Sequence, residues 1–263
     1  MKIKDIIKLL ESTYPLESAL SFDNSGANIV DFDEKVRGVL VCLDVTKNAI
    51  KYAIENNVNL IISHHPIIFD AIKSINDDVL SKRIKLLIKH DISVYSMHTN
   101  FDSNIKHGMG NAVISELFTK KLLIKNLPFD VYTVSKKRYG IGNYIEFAKP
   151  LRIESICDLI IKKLNVSRSK LSCYDLSNNK NIKTAIIMPG SGSSNVADVI
   201  KIKPDLYITS DLKHNNIIDL VDAGISYINA THYGIEKVFV GYVYKFLLKQ
   251  FKINVYKYYE KCL

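Results

Sequence analysis

The sequence predicts an α/β protein made of two related α/β domains, with mostly parallel or mixed sheets and a metal site in the cleft between them. Three observations lead there. Short apolar runs alternate with stretches of helical periodicity, the order that gives parallel strands joined by helices. That order occurs twice: strand, helix, strand, helix, strand, then a His followed four residues later by a carboxylate. The two third strands also read alike, Ile92-Ser93-Val94-Tyr95 beside Ile225-Ser226-Tyr227-Ile228, with His98 and Asp102 after one and His232 and Glu236 after the other. At 263 residues the chain exceeds the ~100–200 usual for one domain. The expected division puts residues 1–125 and 231–263 in the first domain and 126–230 in the second.

The elements follow in order. Residues 3–12 place Ile3, Ile6, Ile7 and Leu10 on one helical face, and Tyr14-Pro15 ends that helix. Residues 21–26 are turn-rich and read as a loop. Residues 36–44 form a strand, and Thr46 caps a helix whose Ala49, Ile50 and Ala53 face inward. Residues 58–63 form a second strand ending in His64-His65; 77–89 a helix; 92–97 a third strand with His98 at its tip; and 111–118 a helix. Beyond residue 126 come a strand at 144–147, a helix at 154–164 and a short strand at 170–174. The first order then returns: strand 182–188, helix 194–200, strand 205–209, a helix to Ala223, and strand 225–230 with His232 at its tip. One long helix is expected from His232, capped by Thr231, with Ile235, Val238, Phe239, Val243, Phe246 and Leu247 as its apolar stripe. Residues 253–258 read as a closing strand.

Composition narrows the function classes. Hydrophobic residues make up 47% and charged residues 24%, which suits a globular chain with a sizeable core. No run reaches the ~18 apolar residues of a membrane span, and charges interrupt the amphipathic start, so neither a membrane protein nor a secretory leader is expected. The four cysteines, Cys42, Cys157, Cys173 and Cys262, form no Cys-x-x-Cys; Cys42 and Cys157 lie in apolar runs as buried thiols. A reducing, cytoplasmic setting is the expectation. The net charge of +9 is spread along the chain without a basic block. It reads first as a solvated Lys-rich surface, then as a pull on small anions such as nucleotides. Nucleic acid is the weakest of the partner readings.

The chemistry centres on Ser63-His64-His65-Pro66. With the two later motifs it offers four imidazoles and two carboxylates: His64, His65, His98, Asp102, His232 and Glu236. Ligands in α/β sheets gather off the carboxyl ends of strands, where these histidines fall. His232 and Glu236 are one helical turn apart and point the same way. Nitrogen and oxygen donors without thiolate suit Zn, Mn, Fe, Co or Ni as divalent ions. Six ligands exceed the about four of one tetrahedral zinc, whereas two ions ~3.5–4 Å apart would use them all. Two such ions against two carboxylates leave about +2, a charge that draws anions. Water on such ions has its pKa lowered to about 7, which makes the chemistry hydrolytic. His98 could instead orient Asp102 from behind. His90, His107 and His214 read as ordinary histidines. Asp211, after the strand equivalent to the one before His64, is either a proton acceptor or substrate contact, or a helix N-cap. The loop Gly190–Ser194 is a tight turn or a phosphate cradle; it lacks the residues of a P-loop.

Seven stretches together resemble one family: 18–26 (SALSFDNSG), Cys42-Leu43-Asp44, 62–67 (ISHHPI), 97–102 (MHTNFD), 190–193 (GSGS), 207–213 (YITSDLK) and 231–236 (THYGIE). It is the Nif-three-type dinuclear metal family, whose bacterial members carry the name GTP cyclohydrolase 1 type 2 homologue. The resemblance implies two α/β domains, two divalent ions per subunit and a ring-shaped homohexamer with sites facing an inner cavity. It implies His64, His65, Asp102, His232 and Glu236 as ligands, His98 beside them, Glu236 as the bridge, and Asn24 and Asp211 near the site. Phe22 departs from the family's usual Trp, Ala27-Asn28 from a Leu-containing stretch, Thr231 from Gly, and Ser210-Asp211 from Gly-Glu or Gly-Asp; none removes a ligand. The long central insertion of larger members is absent from this sequence.

The expected function is therefore a dinuclear metal-dependent hydrolase of a nucleotide such as GTP, with Glu236 and Asp211 as its catalytic carboxylates. In the cyclohydrolase form, water attacks the imidazole carbon of guanine and formate leaves. The alternatives are a nucleotide phosphohydrolase and a non-catalytic toroidal protein that binds or scaffolds through its metals.

Overall fold

The computed structural model describes residues 1–176 and 181–261. Cys262 lies outside them. The chain divides into two compact units, Met1–Phe101 with the segment from Phe239 onward, and Asp102–Val238.

The first unit opens with helix α1 (Ile3–Thr13), whose Ile3, Ile6, Ile7 and Leu10 are buried as the periodicity predicts. Strand β1 (Gly26–Ile29) follows the turn-rich loop, in a stretch to which the sequence assigns no element. Then come β2 (Val39–Cys42), α2 (Lys47–Glu55), β3 (Leu60–Ser63), α3 (Val79–Lys89) and β4 (Ser93–Ser96). Thr46 caps α2 by accepting from the Ala49 amide at 3.1 Å. Helices α2 and α3 cover one sheet face, over Leu40, Cys42, Ile61 and Val94. The alternate residues Val39, Val41, Leu60 and Ile62 are equally buried, which explains why these strands read as unbroken apolar runs. The short helix α4 (Thr99–Asp102) follows His98.

The second unit holds α5 (Met109–Leu117), β5 (Leu123–Val134), β6 (Lys137–Leu151), α6 (Ile153–Leu164), β7 (Ser172–Tyr174), β8 (Ile182–Ser191), α7 (Val196–Ile202), β9 (Leu206–Ser210), α8 (His214–Asp222), β10 (Ser226–Ala230) and α9 (His232–Glu236). The first unit then resumes with α10 (Val238–Gln250) and β11 (Val255–Lys257).

Both sheets are mixed. The first has the order β1-β4-β3-β2-β11, with only β1 antiparallel to its neighbour. The second has the order β5-β6-β8-β9-β10-β7, parallel through β8, β9 and β10. The repeat read from the sequence reappears as topology. β1-β4-β3-β2 matches β7-β10-β9-β8: three parallel strands with an antiparallel edge strand against the third.

Three features differ from expectation. The segment 123–151 is a long hairpin rather than one strand at 144–147. Its turn residues Ser135 and Lys136 both have positive φ, 48° and 65°, the backbone of a two-residue hairpin, but without the Gly or Asn that announces one. The helix from His232 is two helices, α9 and α10, interrupted at Lys237. The unit limits at 101/102 and 238/239 also differ from 125/126 and 230/231, because α5 packs on β6 and β8, and α9 on β8 and β9. Among the described residues no helix is long and apolar enough to cross a membrane.

Candidate metal centre

In the first unit, β3 delivers His64 and His65 and β4 delivers His98. Buried serines brace the strand ends: Ser63 and Ser96 share a hydroxyl–hydroxyl bond of 2.9 Å, and the Ser63 hydroxyl also donates to the His65 carbonyl at 2.9 Å. The three rings stand 5.0, 5.1 and 5.5 Å apart, and each offers a nitrogen within 4.8 Å of the others, close enough for one metal ion. His64 is fully buried, against Phe239 at 5.0 Å and Phe101 at 6.2 Å between ring centres.

Each ring is held by the same atom. His64 Nδ1 faces the Met97 carbonyl at 2.8 Å, His65 Nδ1 faces Asp44 at 2.8 Å, and His98 Nδ1 faces Asp23 at 2.7 Å. These partners are oxygen acceptors, so Nδ1 carries the proton and a neutral ring keeps its lone pair on Nε2. A protein that binds metal through Nε2 orients its histidines this way. Asp23 in turn accepts from the Thr99 amide (3.0 Å), the Thr99 hydroxyl (2.6 Å) and the Ser25 hydroxyl (2.5 Å). Burial opposes its ionisation, yet His98 and these donors hold its carboxyl well below the usual carboxylate range. Cys42 is adjacent in register to Ser63, but burial first and Asp44 second push its thiol up, so it offers no thiolate. Cys157 is likewise buried, and Cys173 is half-buried; all three thiols are free.

In the second unit, the Thr231 hydroxyl caps α9 by accepting from the Gly234 amide at 3.0 Å. That first turn sets His232 Nε2 2.8 Å from the buried carboxylate of Glu236. His232 Nδ1 faces Asp211 at 2.6 Å. A lone-pair nitrogen against a carboxylate oxygen repels unless a cation lies with them: a second proton on the ring, or a metal ion taken by both atoms. Asp211 is not a helix N-cap, since α8 starts at His214 with Lys213 in that position. It holds His232 as Asp44 holds His65.

Asp102, at the end of α4, is half-buried and belongs to the second unit. The Asn24 amide donates to the Ile68 carbonyl at 2.6 Å, tying two loops of the first unit. Asp102, expected as a ligand, joins no metal-ligating group among the described residues, and neither do His90, His107 and His214.

The DUF34/NIF3 (NGG1p interacting factor 3) family profile matches residues 1–261. The chain belongs to the DUF34/NIF3 family. A Clostridium perfringens relative named GTP cyclohydrolase 1 type 2 homolog is 33% identical over 238 residues, covering 90% of this chain and 87% of its own. A Campylobacter jejuni relative of the same name is 32% identical over 240 residues, covering 91% and 89%. The solved structure of the Staphylococcus aureus hypothetical protein SA1388 has a TM-score of 0.85 at 28% identity, covering 100% of this chain and 97% of that one. The resemblance read from the motifs is thus a family membership.

As a DUF34/NIF3 chain it explains its own Gly-Ser-Gly-Ser stretch. Gly190 belongs to β8 and has φ +74°. A Cβ there would stand 2.5 Å from Glu236 Oε1 and 3.8 Å from His232 Cε1. The Ser210 hydroxyl fixes the Gly190 carbonyl at 2.6 Å. This bend is a seat for Glu236, which favours the tight-turn reading. Gly190→Ala combines strain at positive φ, about 1–3 kcal/mol, with a clash against Glu236. We expect a lower melting temperature and weaker metal uptake, read by thermal denaturation and metal titration.

Two residues of the centre were not assigned a role from the sequence. Asp44 could have been found: it follows the strand paralleling the one that ends in His64-His65. Asp23 gives no such signal, since it sits in an irregular loop 75 residues from His98.

Proposed function

We propose that this DUF34/NIF3 protein is a dinuclear metal-dependent hydrolase of a nucleotide or related anionic substrate. His64, His65, His98, Asp102, His232 and Glu236 would hold two divalent ions. The observation that carries the reading is the common Nδ1 anchoring of His64, His65, His98 and His232, which presents Nε2 of each as a ligand. The names of the Clostridium and Campylobacter relatives support a nucleotide as substrate. Bound there, the ions supply Lewis acidity and lower the pKa of water to about 7.

The chain's own groups do the rest. Asp23, Asp44 and Asp211 hold three of the rings and offset the cationic charge. Asp211, half-exposed, is also the acceptor for a proton from the attacking water. Glu236, buried on Gly190, is kept from swinging away.

The test is a turnover assay on metal-reconstituted protein with a nucleotide panel that includes GTP, following formate and phosphate together. Formate from GTP identifies a cyclohydrolase; phosphate without formate identifies a phosphohydrolase. Neither product from fully metal-loaded protein overturns catalysis and leaves a metal-dependent binding protein. The ring-shaped homohexamer implied by the resemblance is proposed alongside, and light scattering measures it directly.

A further inference from the structure

Two exposed aromatic rings stand beside the imidazole trio. Phe22 is 62% exposed and Phe69 45% exposed. Their centres are 6.4 Å apart with the planes tilted by 43°, and Phe69 meets the His98 ring edge-on at 6.2 Å. Among the described residues, neither ring belongs to the core cluster packed under α2 and α3. Their loops are nonetheless tied down. Asp23, next to Phe22, is bonded to His98 and Thr99. Asn24 donates to the Ile68 carbonyl, and the Ile68 amide donates to Asn28 at 3.4 Å. The loop that anchors a histidine therefore also holds Phe22 against Phe69. Two apolar faces kept in place beside a polar centre, and left open to water, are a binding feature.

We propose that Phe22 and Phe69 form a stacking platform for the planar purine base of a nucleotide substrate. The proposal rests on the nucleotide reading above and adds how the base is held. An aromatic face attracts a heteroaromatic ring and gives nothing to a bare phosphate ester. The phosphates would fall to the ions of the proposed metal centre beside the rings, so the two ends of a nucleotide meet different chemistry. The tilt between the rings lets a base lie on one face and meet the edge of the other. Stacking tolerates any base, so the platform sets the substrate class and leaves the choice among purines to polar contacts.

The chain contains no Trp, so Phe22→Trp installs a single fluorescent reporter at the platform. In metal-loaded protein, GTP, ATP and guanosine should each quench it saturably, and inorganic triphosphate should not. Phe22→Ala should raise the Kd for GTP about tenfold by equilibrium dialysis, with triphosphate binding unchanged; Phe69→Ala should act the same way. Both side chains are exposed, so the variants should fold. Equal responses to triphosphate and GTP, an unchanged GTP Kd in both Ala variants, or no quenching by any of the three purine compounds overturns the platform. Guanosine quenching, with neither formate nor phosphate released from GTP, removes the catalytic reading and keeps the platform. Turnover with an unaltered KM in both Ala variants does the reverse.

Discussion

Glu236→Ala should lose metal and the thermal stabilisation that metal brings, while the metal-free fold is unharmed. The two halves of this expectation have different causes. In the metal-free protein the Glu236 carboxylate is buried, set against His232 and over Gly190. Burying a charge is costly, and its partner His232 is part-exposed and can return to water, so truncation should leave the melting temperature of metal-free protein nearly unchanged. In the proposed metal-bound form the same carboxylate, presented by the capped α9, would be a ligand. A ligand that binds only the folded state stabilises it by about 4 kcal/mol at a thousand times its Kd, roughly 10 °C for a chain of this size. That metal-induced rise should appear in the unaltered protein and vanish in Glu236→Ala, and elemental analysis should show the ions gone. A full metal complement in the variant would remove Glu236 from the centre. A collapse of the metal-free fold would make it a structural residue instead. The paired scans, with and without metal, separate the two roles.

The sequence revealed the parts of this centre that are local. His232 and Glu236 are four residues apart on α9, and helical geometry turns such a pair to one side, whereas Asp102 joins no metal-ligating group among the described residues. Thr46 and Thr231 announced their helices because a cap acts on amides two or three residues away. The strands of both parallel sets were legible because burial on both faces leaves unbroken apolar runs. What stayed hidden is non-local or solvent-facing. Asp44 meets His65 across 21 residues and Asp23 meets His98 across 75, pairings that only a finished sheet creates. Strand β5 is mostly exposed, so it shows no core pattern, and its Ser135-Lys136 turn lacks a Gly or Asn. The break at Lys237 escaped because the apolar stripe runs on through it, from Ile235 in α9 to Phe239 in α10.

Phe101→Ala should cost about 3–5 kcal/mol, a large share of the ~5–15 kcal/mol that holds a typical fold. Phe101 lies inside the His98–Asp102 motif, yet its work is packing. Its ring is fully buried, 5.1 Å from Tyr14, 5.0 Å from Phe239 and 5.9 Å from Tyr242 between centres. It also meets His64 nearly edge-on at 6.2 Å. Truncation therefore opens a cavity beside the His64 ring, and the neighbours are too interlocked to close it: the Asn100 amide is bonded to the Tyr14 carbonyl at 2.9 Å, which fixes one wall. Two readouts should move together. The urea midpoint should fall, and metal affinity should drop because His64 loses the side support that keeps its Nδ1 on the Met97 carbonyl. Phe101→Leu, which refills most of the space, should recover most of both. A loss under about 1 kcal/mol for Phe101→Ala would mean the aromatic cluster does not support the site. A stability loss with unchanged metal affinity would mean that the Met97 carbonyl alone suffices to hold His64. The coupled outcome follows from the position of Phe101, which shares a motif with the proposed ligands His98 and Asp102 and an aromatic cluster with Tyr14, Phe239 and His64.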